Sequence, residues 1–342
     1  MRSDSDTDDS VVDTQPGDAA GARRALVERL QADGVLTDQH LREALSCLDH
    51  GVLLLPRAYV RRSEPGTDPV WELLDGTHPK DRAEWQELVY SGESVLVQRD
   101  GEPLESQVRG AVSGGRMTAM STFTPYTVEV LQRMRIAAGH NYLDLGTGPG
   151  VSLALAAALT GPRRAVGVER DGHMAAFTRD NLDRLGVGAT MVAGDALDGH
   201  LPRAPYDRIH SGIGVPCLPS AWVDQLAPDG RLLTTLATRT PSWPGHCLVT
   251  RTATGRIEAV LEGGPRTDTP GSPPIITFTG SRTAPADPAP QPSPRLQTRH
   301  TGSGYRPLTS SPVWSGISSR ASQHFRGIRA PRRGGSSPRR PM

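Results

Sequence analysis

The stretch at residues 141–150, Asn-Tyr-Leu-Asp-Leu-Gly-Thr-Gly-Pro-Gly, constrains the fold of this 342-residue chain more than any other. A short apolar run leads into three alternating glycines, and the alanine-rich run 151–159 follows. This order predicts a buried strand, a tight turn and a helix, which make the first half of a βαβ unit. Glycine allows the turn and lets a ligand approach the backbone. The free N–H groups at the helix start would then face an anionic group of that ligand.

The spacing of the glycines indicates which class of ligand the turn binds. Gly146, Gly148 and Gly150 give G-x-G-x-G, whereas dinucleotide sites usually have G-x-G-x-x-G. With Asp144 two residues ahead, this form resembles the loop of S-adenosylmethionine-dependent methyltransferases. The ligand of those enzymes carries a carboxylate, which suits the loop N–H groups, and cationic groups, which suit the acid. On this motif alone, a glycine-rich turn in another kind of α/β protein stays open.

Alternation of strands and helices continues after the loop. Further strands are predicted at 165–168, 189–192, 206–211 and 231–236, with helices at 171–185 and 220–226. Such alternation predicts an α/β protein with a mostly parallel, doubly wound sheet, the class I (Rossmann-like) methyltransferase fold.

Three acidic residues fall at or near successive strand ends, where ligands bind in open α/β sheets. Glu169 would accept hydrogen bonds from two ribose hydroxyls, and Asp195 with the Ala196 N–H would contact the edge of adenine. Each acid also has a purely structural interpretation: Asp144 as a turn cap, Glu169 as a partner of Arg170, and Asp195 as a helix start. The predicted cofactor-binding set is Asp144, Gly146, Thr147, Gly148, Gly150, Glu169, Arg170, Asp195 and Ala196.

Composition and periodicity divide the chain into five predicted segments. They are a disordered acidic tail at 1–20, a mainly helical extension at 21–117, the S-adenosylmethionine-binding domain at 118–240, a terminal hairpin at 241–264, and a disordered Pro/Ser/Arg-rich tail at 265–342. Within the extension, Thr37 is the expected N-cap of a second helix, and 99–116 reads as an exposed loop.

Bulk properties point to few partners. The net charge is +1, and the basic C-terminal tail has almost no aromatic residues for base stacking, so no nucleic acid partner is expected. Cys47, Cys217 and Cys247 show neither zinc-ligand spacing nor a disulfide framework, and no metal site is predicted. No apolar run has membrane-spanning length, and the acidic start lacks the features of a signal peptide. A cytoplasmic location is therefore expected.

Two longer stretches resemble one enzyme family. TFTPYTVEVLQRM before the glycine loop and YDRIHSGIGVPCLPSAWVDQLAPDGRLL after it are similar to protein-L-isoaspartate O-methyltransferases. Upstream, DGTHPKDRAEWQELVYSGESVLVQ is similar to a subgroup found with ATP-grasp peptide maturation systems. The resemblance implies S-adenosyl-L-methionine as cofactor and a side-chain carboxylate of a protein or ribosomally made precursor peptide as methyl acceptor. It also implies an ATP-grasp ligase in the same pathway.

The hydroxyl-rich segment before the first strand is the expected acceptor contact. Ser121, Thr122 and Thr124 are the predicted catalytic residues, while Phe123 stands where the family usually has another hydroxyl. Because a carboxylate is already ionised at neutral pH, alignment and exclusion of water are the main requirements, and no strong base is needed. His210 is accordingly expected to pack near the cofactor without a catalytic role.

Three other functions compete with peptide carboxyl methylation. General repair of isoaspartyl proteins is the first, although the Phe123 change argues against it. A nucleotide-dependent oxidoreductase is the second, and the glycine spacing disfavours it. The third is a non-catalytic peptide-binding partner that keeps the fold.

Overall fold

Two β-sheets form the framework of the protein in a computed structural model that describes residues 16–54, 56–63, 69–103, 106, 110–236, 245–263 and 276–280. All described residues belong to one unit, Met1–Ser281. The predicted tails at 1–20 and 265–342 lie mostly outside the described residues.

The second sheet in chain order carries the predicted α/β core. Its strands are β6 (Tyr142–Leu145), β7 (Ala165–Glu169), β8 (Thr190–Ala193), β9 (Tyr206–Val215), β10 (Leu226–Leu236), β11 (Gly245–Arg251), β12 (Ile257–Gly263) and β13 (Ile276–Gly280). The strand order is β13-β12-β11-β10-β9-β6-β7-β8, with β6 to β10 parallel and β11 to β13 antiparallel. The direction of winding reverses between β6 and β9, and this reversal is where open α/β sheets bind ligands.

Helices cover this sheet as the alternation predicts. They are α4 (Thr124–Met134), α5 (Val151–Thr160), α6 (Gly172–Arg184) and α7 (Ser220–Asp224). Most of α5 is apolar, and Leu153, Ala154, Leu155 and Ala156 are fully buried. An apolar helix of this kind is covered on more than one side; here α5 contacts β6 and β7 and also packs against α2 of the N-terminal region. The predicted fold class is confirmed.

The N-terminal region differs from the mainly helical extension expected at 21–117. It has α1 (Pro16–Ala32), α2 (Gln39–Cys47) and α3 (Arg82–Tyr90), but also β1 (Arg57–Arg61), β2 (Val70–Asp75), β3 (Val95–Arg99), β4 (Ala111–Ser113) and β5 (Met117–Ser121). These strands form an antiparallel sheet in the order β4-β2-β1-β3-β5. The strands are short and pair with partners distant in sequence, so local periodicity does not reveal them.

Other structural predictions made from the sequence also differ from the structure. Helix α1 begins at Pro16, inside the segment expected to be disordered, and proline fits a helix start. Strand β4 lies within the expected loop at 99–116. Strand β13 pairs with β12 within the segment 265–342 that was expected to be disordered, because its β-branched and aromatic run is hidden in the average composition of that segment. No helix in the described ranges is long and apolar enough to cross a membrane.

One side chain joins the N-terminal region to the α/β core. The Gln132 Oε1 of α4 accepts hydrogen bonds from the Thr37 N–H (2.8 Å), the Thr37 hydroxyl (3.2 Å) and the Asp38 N–H (2.9 Å). Its Nε2 donates to the Val35 carbonyl at 2.9 Å. Thr37 is therefore tied to Gln132, and the N-cap of α2 is Asp38, which accepts from the Leu41 N–H. The α1–α2 connection is thereby held against α4.

Replacing Gln132 tests this connection. Gln132→Leu removes all four hydrogen bonds while keeping an apolar side chain of similar size. We expect the free energy of unfolding to fall by about 1–2 kcal/mol, since water replaces part of the lost bonding at these exposed groups. Urea denaturation measures the change, with Gln31→Leu at an exposed position of α1 as the control. Equal stability of both variants would contradict a structural role for Gln132.

Candidate active site

The glycine turn after β6 is shaped by backbone angles that only glycine adopts without strain. The φ angles are +74° at Gly146, +54° at Gly148 and +91° at Gly150. A Cβ at Gly146 would lie 2.4 Å from Ile213 Cγ2, and one at Gly150 would lie 2.6 Å from Thr178 Cγ2. These two glycines are therefore required by packing against the end of β9 and against α6.

Gly148 is different, because it has open space beside it. The nearest protein atom to a Cβ at this position would be the Met120 carbonyl oxygen at 3.4 Å. Its carbonyl accepts a hydrogen bond from the Thr178 hydroxyl at 2.7 Å, and its N–H donates to Glu169 Oε2 at 3.0 Å. Gly148 thus presents its backbone to a cavity while neighbouring side chains hold the turn in place.

A cavity of about 1230 Å³ lies at the carboxyl ends of the strands beside this turn. Most of the predicted cofactor-binding residues line it: Gly146, Thr147, Gly148, Glu169, Arg170, Asp195 and Ala196. They follow β6, β7 and β8, three strands adjacent in the sheet. The structure therefore brings these residues together at one side of a single cavity.

The acidic residues in this group have defined partners. Glu169 accepts from the Asp171 N–H at 3.0 Å as well as from Gly148, and in the described residues it forms no ion pair with Arg170. Asp195 accepts from the Leu197 N–H at 2.9 Å, as expected for a residue that starts a helical turn. The Ala196 carbonyl accepts from the buried Trp222 indole at 2.7 Å, which fixes the backbone of this segment.

The opposite wall of the cavity comes from β5 and the start of α4. Ser121 is buried, whereas Thr122 and Phe123 are exposed, and all three line the cavity. The Ser94 hydroxyl accepts a hydrogen bond from the Phe123 N–H at 3.0 Å, which holds this segment in place. Two of the three predicted catalytic residues, Ser121 and Thr122, therefore line the same cavity as the glycine turn.

Three predicted site residues do not line the cavity. Thr124 begins α4, where its N–H donates to the Gly92 carbonyl at 2.8 Å. Gly150 packs on Thr178, as described above. Asp144 is only 1 % exposed, and its carboxylate accepts from Ser152 Oγ at 2.8 Å and contacts His210 Nδ1 at 2.8 Å. Its side chain is directed into the protein. The Asp144 carboxylate therefore has an internal role in this structure, in place of the expected direct contact with a cationic ligand group.

Sequence reasoning missed several lining residues. The rings of Tyr126 and His246 contact each other in a tilted arrangement with centroids 5.2 Å apart, and both line the cavity with Thr235. His210, which was expected near the cofactor, lines it as well. Burial raises the pKa of the Tyr126 phenol, so this group stays a neutral hydrogen-bonding partner. The available signal was a single histidine beside the apolar run Cys-Leu-Val, at His246 in β11.

Comparisons with known proteins agree with this geometry. A family model described as Protein-L-isoaspartate(D-aspartate) O-methyltransferase matches residues 102–241. The protein-L-isoaspartate O-methyltransferase of Pyrococcus abyssi is 30% identical over 164 residues, which cover 48% of this chain and 71% of that protein. The chain belongs to the protein-L-isoaspartate O-methyltransferase family.

The matches to other relatives cover a smaller fraction of the length of those relatives. The Methanoculleus marisnigri enzyme of the same name is 37% identical over 147 residues, covering 41% of this chain and 62% of that protein. Two further relatives are matched over 50% and 56% of their length, so the chain spans about half to three fifths of these proteins. A solved protein-L-isoaspartate O-methyltransferase covers 73% of this chain and 66% of its own, with 20% identity and a TM-score of 0.53, which supports the fold.

The open position at Gly148 allows a test of the cavity. Asparagine tolerates positive φ better than other residues with a side chain, so Gly148→Asn should fold while filling the space beside the turn. We expect binding of S-adenosylhomocysteine, measured by calorimetry, to fall more than about tenfold, the loss of about 1.4 kcal/mol. The control is Gly186→Asn, at φ +64° with nothing within 4 Å of its Cβ. Unchanged affinity in Gly148→Asn would place the ligand elsewhere.

Glu169 offers a second test. Gln at this position keeps the shape but replaces one carboxylate oxygen by a donor, so it cannot accept hydrogen bonds at both positions. Because hydrogen bonds to charged groups contribute about 1.5–3 kcal/mol each, we expect Glu169→Gln to weaken S-adenosylhomocysteine binding about tenfold or more. Glu28→Gln, at an exposed position of α1, is the matched control. Normal binding by Glu169→Gln would limit Glu169 to holding the Gly148 and Asp171 N–H groups.

Proposed function

We propose that this family member is an S-adenosylmethionine-dependent O-methyltransferase that methylates a side-chain carboxylate of a protein or peptide. The observation that carries the proposal is the single cavity between the glycine turn with Glu169 and the hydroxyl-rich segment at Ser121 and Thr122. The residues predicted to bind the cofactor and those predicted to bind the acceptor line the same cavity, which supports the proposal because methyl transfer requires both ligands side by side. Membership of the family supports the same activity.

The cofactor half of the cavity fits S-adenosylmethionine. A side chain at Gly148 would extend into the space beside the turn, so the bare backbone there is what lets a ligand approach. We propose that Glu169 accepts hydrogen bonds from the ribose hydroxyls and that Asp195 with the Ala196 N–H contacts the adenine edge; all three residues line the cavity, which supports these roles. When bound, the cofactor supplies an electrophilic methyl group on a sulfonium.

The acceptor half requires little acid–base chemistry from the protein. A carboxylate is ionised at neutral pH, so its oxygen is already a nucleophile. Hydroxyls at Ser121 and Thr122 can donate hydrogen bonds to the carboxylate without protonating it. The role of these residues is to orient one oxygen toward the methyl group and to exclude water from the reaction.

The substrate is proposed to be one structured or modified peptide, with an ATP-grasp ligase acting in the same cytoplasmic pathway. Phe123 supports this over general repair, because its 39% exposed ring adds apolar bulk to the cavity where the family usually offers a hydroxyl. The methyl ester that forms is an electrophile, because its methoxy group leaves more readily than the oxygen of a free carboxylate. Attack by the next backbone nitrogen would release methanol and close a succinimide, which can open to isoaspartate.

Labelling the transferred methyl group tests the activity. We expect purified protein and labelled S-adenosylmethionine to place one methyl on a carboxylate, seen by mass spectrometry as a base-labile ester or as loss of water after succinimide closure. The substrates are an aspartyl peptide, its isoaspartyl isomer and the asparaginyl counterpart as control. The candidate precursor is the short Asp-rich peptide encoded beside the gene, if an ATP-grasp ligase gene accompanies it.

The outcomes separate the alternatives. Equal labelling of generic isoaspartyl peptides would favour repair. Binding of S-adenosylhomocysteine and peptide without any transfer would favour a non-catalytic partner, and preferential binding of a nicotinamide dinucleotide would favour an oxidoreductase. Label on RNA, on a small metabolite or on nitrogen would refute carboxylate methylation.

A further inference from the structure

A buried polar cluster lies directly beneath the glycine turn. The Asp144 carboxylate contacts His210 Nδ1 at 2.8 Å, Ser152 Oγ at 2.8 Å and the Tyr142 hydroxyl at 3.4 Å. Burial, with the neighbouring Asp144 second, raises the pKa of Tyr142 well above its usual value, so Tyr142 remains a neutral donor. Of these four residues, two line the cavity: Ser152 and His210.

The hydrogen bonds of His210 determine which ring nitrogen faces the cavity. A carboxylate only accepts, so the Nδ1 beside Asp144 carries a proton. Nε2 has no hydrogen-bond partner among the described residues, and the side chain is 9% exposed. His210 is paired with Asp144 across the adjacent parallel strands β9 and β6, at the point where the winding of the sheet reverses. The ring therefore offers Nε2 to the cavity beside the glycine turn.

The charge of the cavity makes this nitrogen important for an anionic substrate. Four acidic side chains line the cavity: Asp33, Glu129, Glu169 and Asp195. Arg170 is the single arginine or lysine among the described lining residues, and it follows Glu169 on the cofactor side. A substrate carboxylate would thus meet mostly negative charge unless a cation stands near the acceptor position.

The second histidine of the cavity, His246, differs from His210 in the group that lies beside its Nδ1. His246 Nδ1 lies 3.4 Å from an Arg133 guanidinium nitrogen, which can only donate a hydrogen bond. For this contact to be a hydrogen bond, Nδ1 of His246 must be the acceptor. His210 has the opposite arrangement, because its Nδ1 donates to the Asp144 carboxylate.

We propose that His210, oriented by Asp144, binds the acceptor carboxylate through Nε2–H, and so selects a carboxylate over a carboxamide. This inference rests on the proposed carboxyl methylation. The ring lies between two carboxylates and donates one N–H to each, so no proton needs to move during methyl transfer. Asp144 is a positioning residue, since it acts on the substrate only through His210.

Two amide variants separate the two ends of the ring. The Nδ2 of asparagine occupies about the place of histidine Nδ1, and the Nε2 of glutamine occupies about the place of histidine Nε2. His210→Asn therefore keeps the partner of Asp144 and removes the group that faces the cavity. His210→Gln restores a donor toward the cavity and gives up the contact with Asp144.

Calorimetry in the presence of S-adenosylhomocysteine measures the effect. The probes are an isoaspartyl or aspartyl peptide that the wild type methylates and the same peptide with asparagine. We expect the wild type to prefer the carboxylate, and His210→Asn to bind the carboxylate peptide about tenfold or more weakly, as for a lost hydrogen bond to a charged group. His210→Gln should retain more of this preference despite a lower melting temperature. In turnover, KM should rise more than kcat falls.

The order of the two variants decides the inference. A merely structural His210 predicts the reverse order, with His210→Asn close to wild type and His210→Gln impaired. A loss of S-adenosylhomocysteine affinity with unchanged peptide preference would instead make His210 a cofactor contact, and either result overturns the proposal. His40→Asn, at an exposed position of α2, is the control for the substitution itself.

Failure of the proposed function would look different. If the wild-type protein methylates no carboxylate of any peptide, carboxyl methylation is refuted and the role of His210 is refuted with it. If the wild type methylates the peptide and both variants match it in KM and in preference, only the assignment of His210 is refuted.

Discussion

The turn at Gly146–Gly150 depends on three positive φ angles in five residues, and the rest of the site is arranged around it. Two of these glycines are closely packed: Gly146 lies against Ile213, and Gly150 lies against Thr178. A side chain at either position would displace the end of β9 or the middle of α6. The close packing around these glycines therefore also fixes the distance between the backbone of the turn and the residues that border the cavity.

The N-terminal region completes the cavity and is more than an appendage to the α/β core. The Met120 carbonyl of β5 comes within 3.4 Å of where a Gly148 side chain would begin. Asp33 and Val35, from the connection that Gln132 holds, also line the cavity. Part of the cavity wall is thus drawn from a sheet and a connection that precede the α/β core in sequence. Changes in this region can alter substrate choice while the glycine turn stays the same.

The sequence predicted the part of the fold that local pattern controls. The strand, turn and helix at 142–160 and the acids at 169 and 195 follow from apolar runs, glycine spacing and position at strand ends. The five-stranded N-terminal sheet was not predicted, because pairing such as β3 with β5 joins short segments that carry no distinctive period. Sequence position also could not give the direction of the Asp144 side chain. Because β6 is buried on both faces, a side chain on either face of this strand is surrounded by protein.

The cofactor and the acceptor carboxylate have opposite charge requirements. This difference explains the distribution of polar groups around the cavity. A cofactor with ammonium and sulfonium groups is favoured by acidic surroundings, and Glu169 and Asp195 line its side of the cavity. An acceptor carboxylate is disfavoured by the same acids, and the wall it would contact carries the neutral hydroxyls of Ser121 and Thr122. Asp144 belongs to neither wall, because its charge is buried and bound by Ser152 and His210. Turning this acid inward removes one negative charge from the cavity surface and couples it to His210, a ring that lines the cavity.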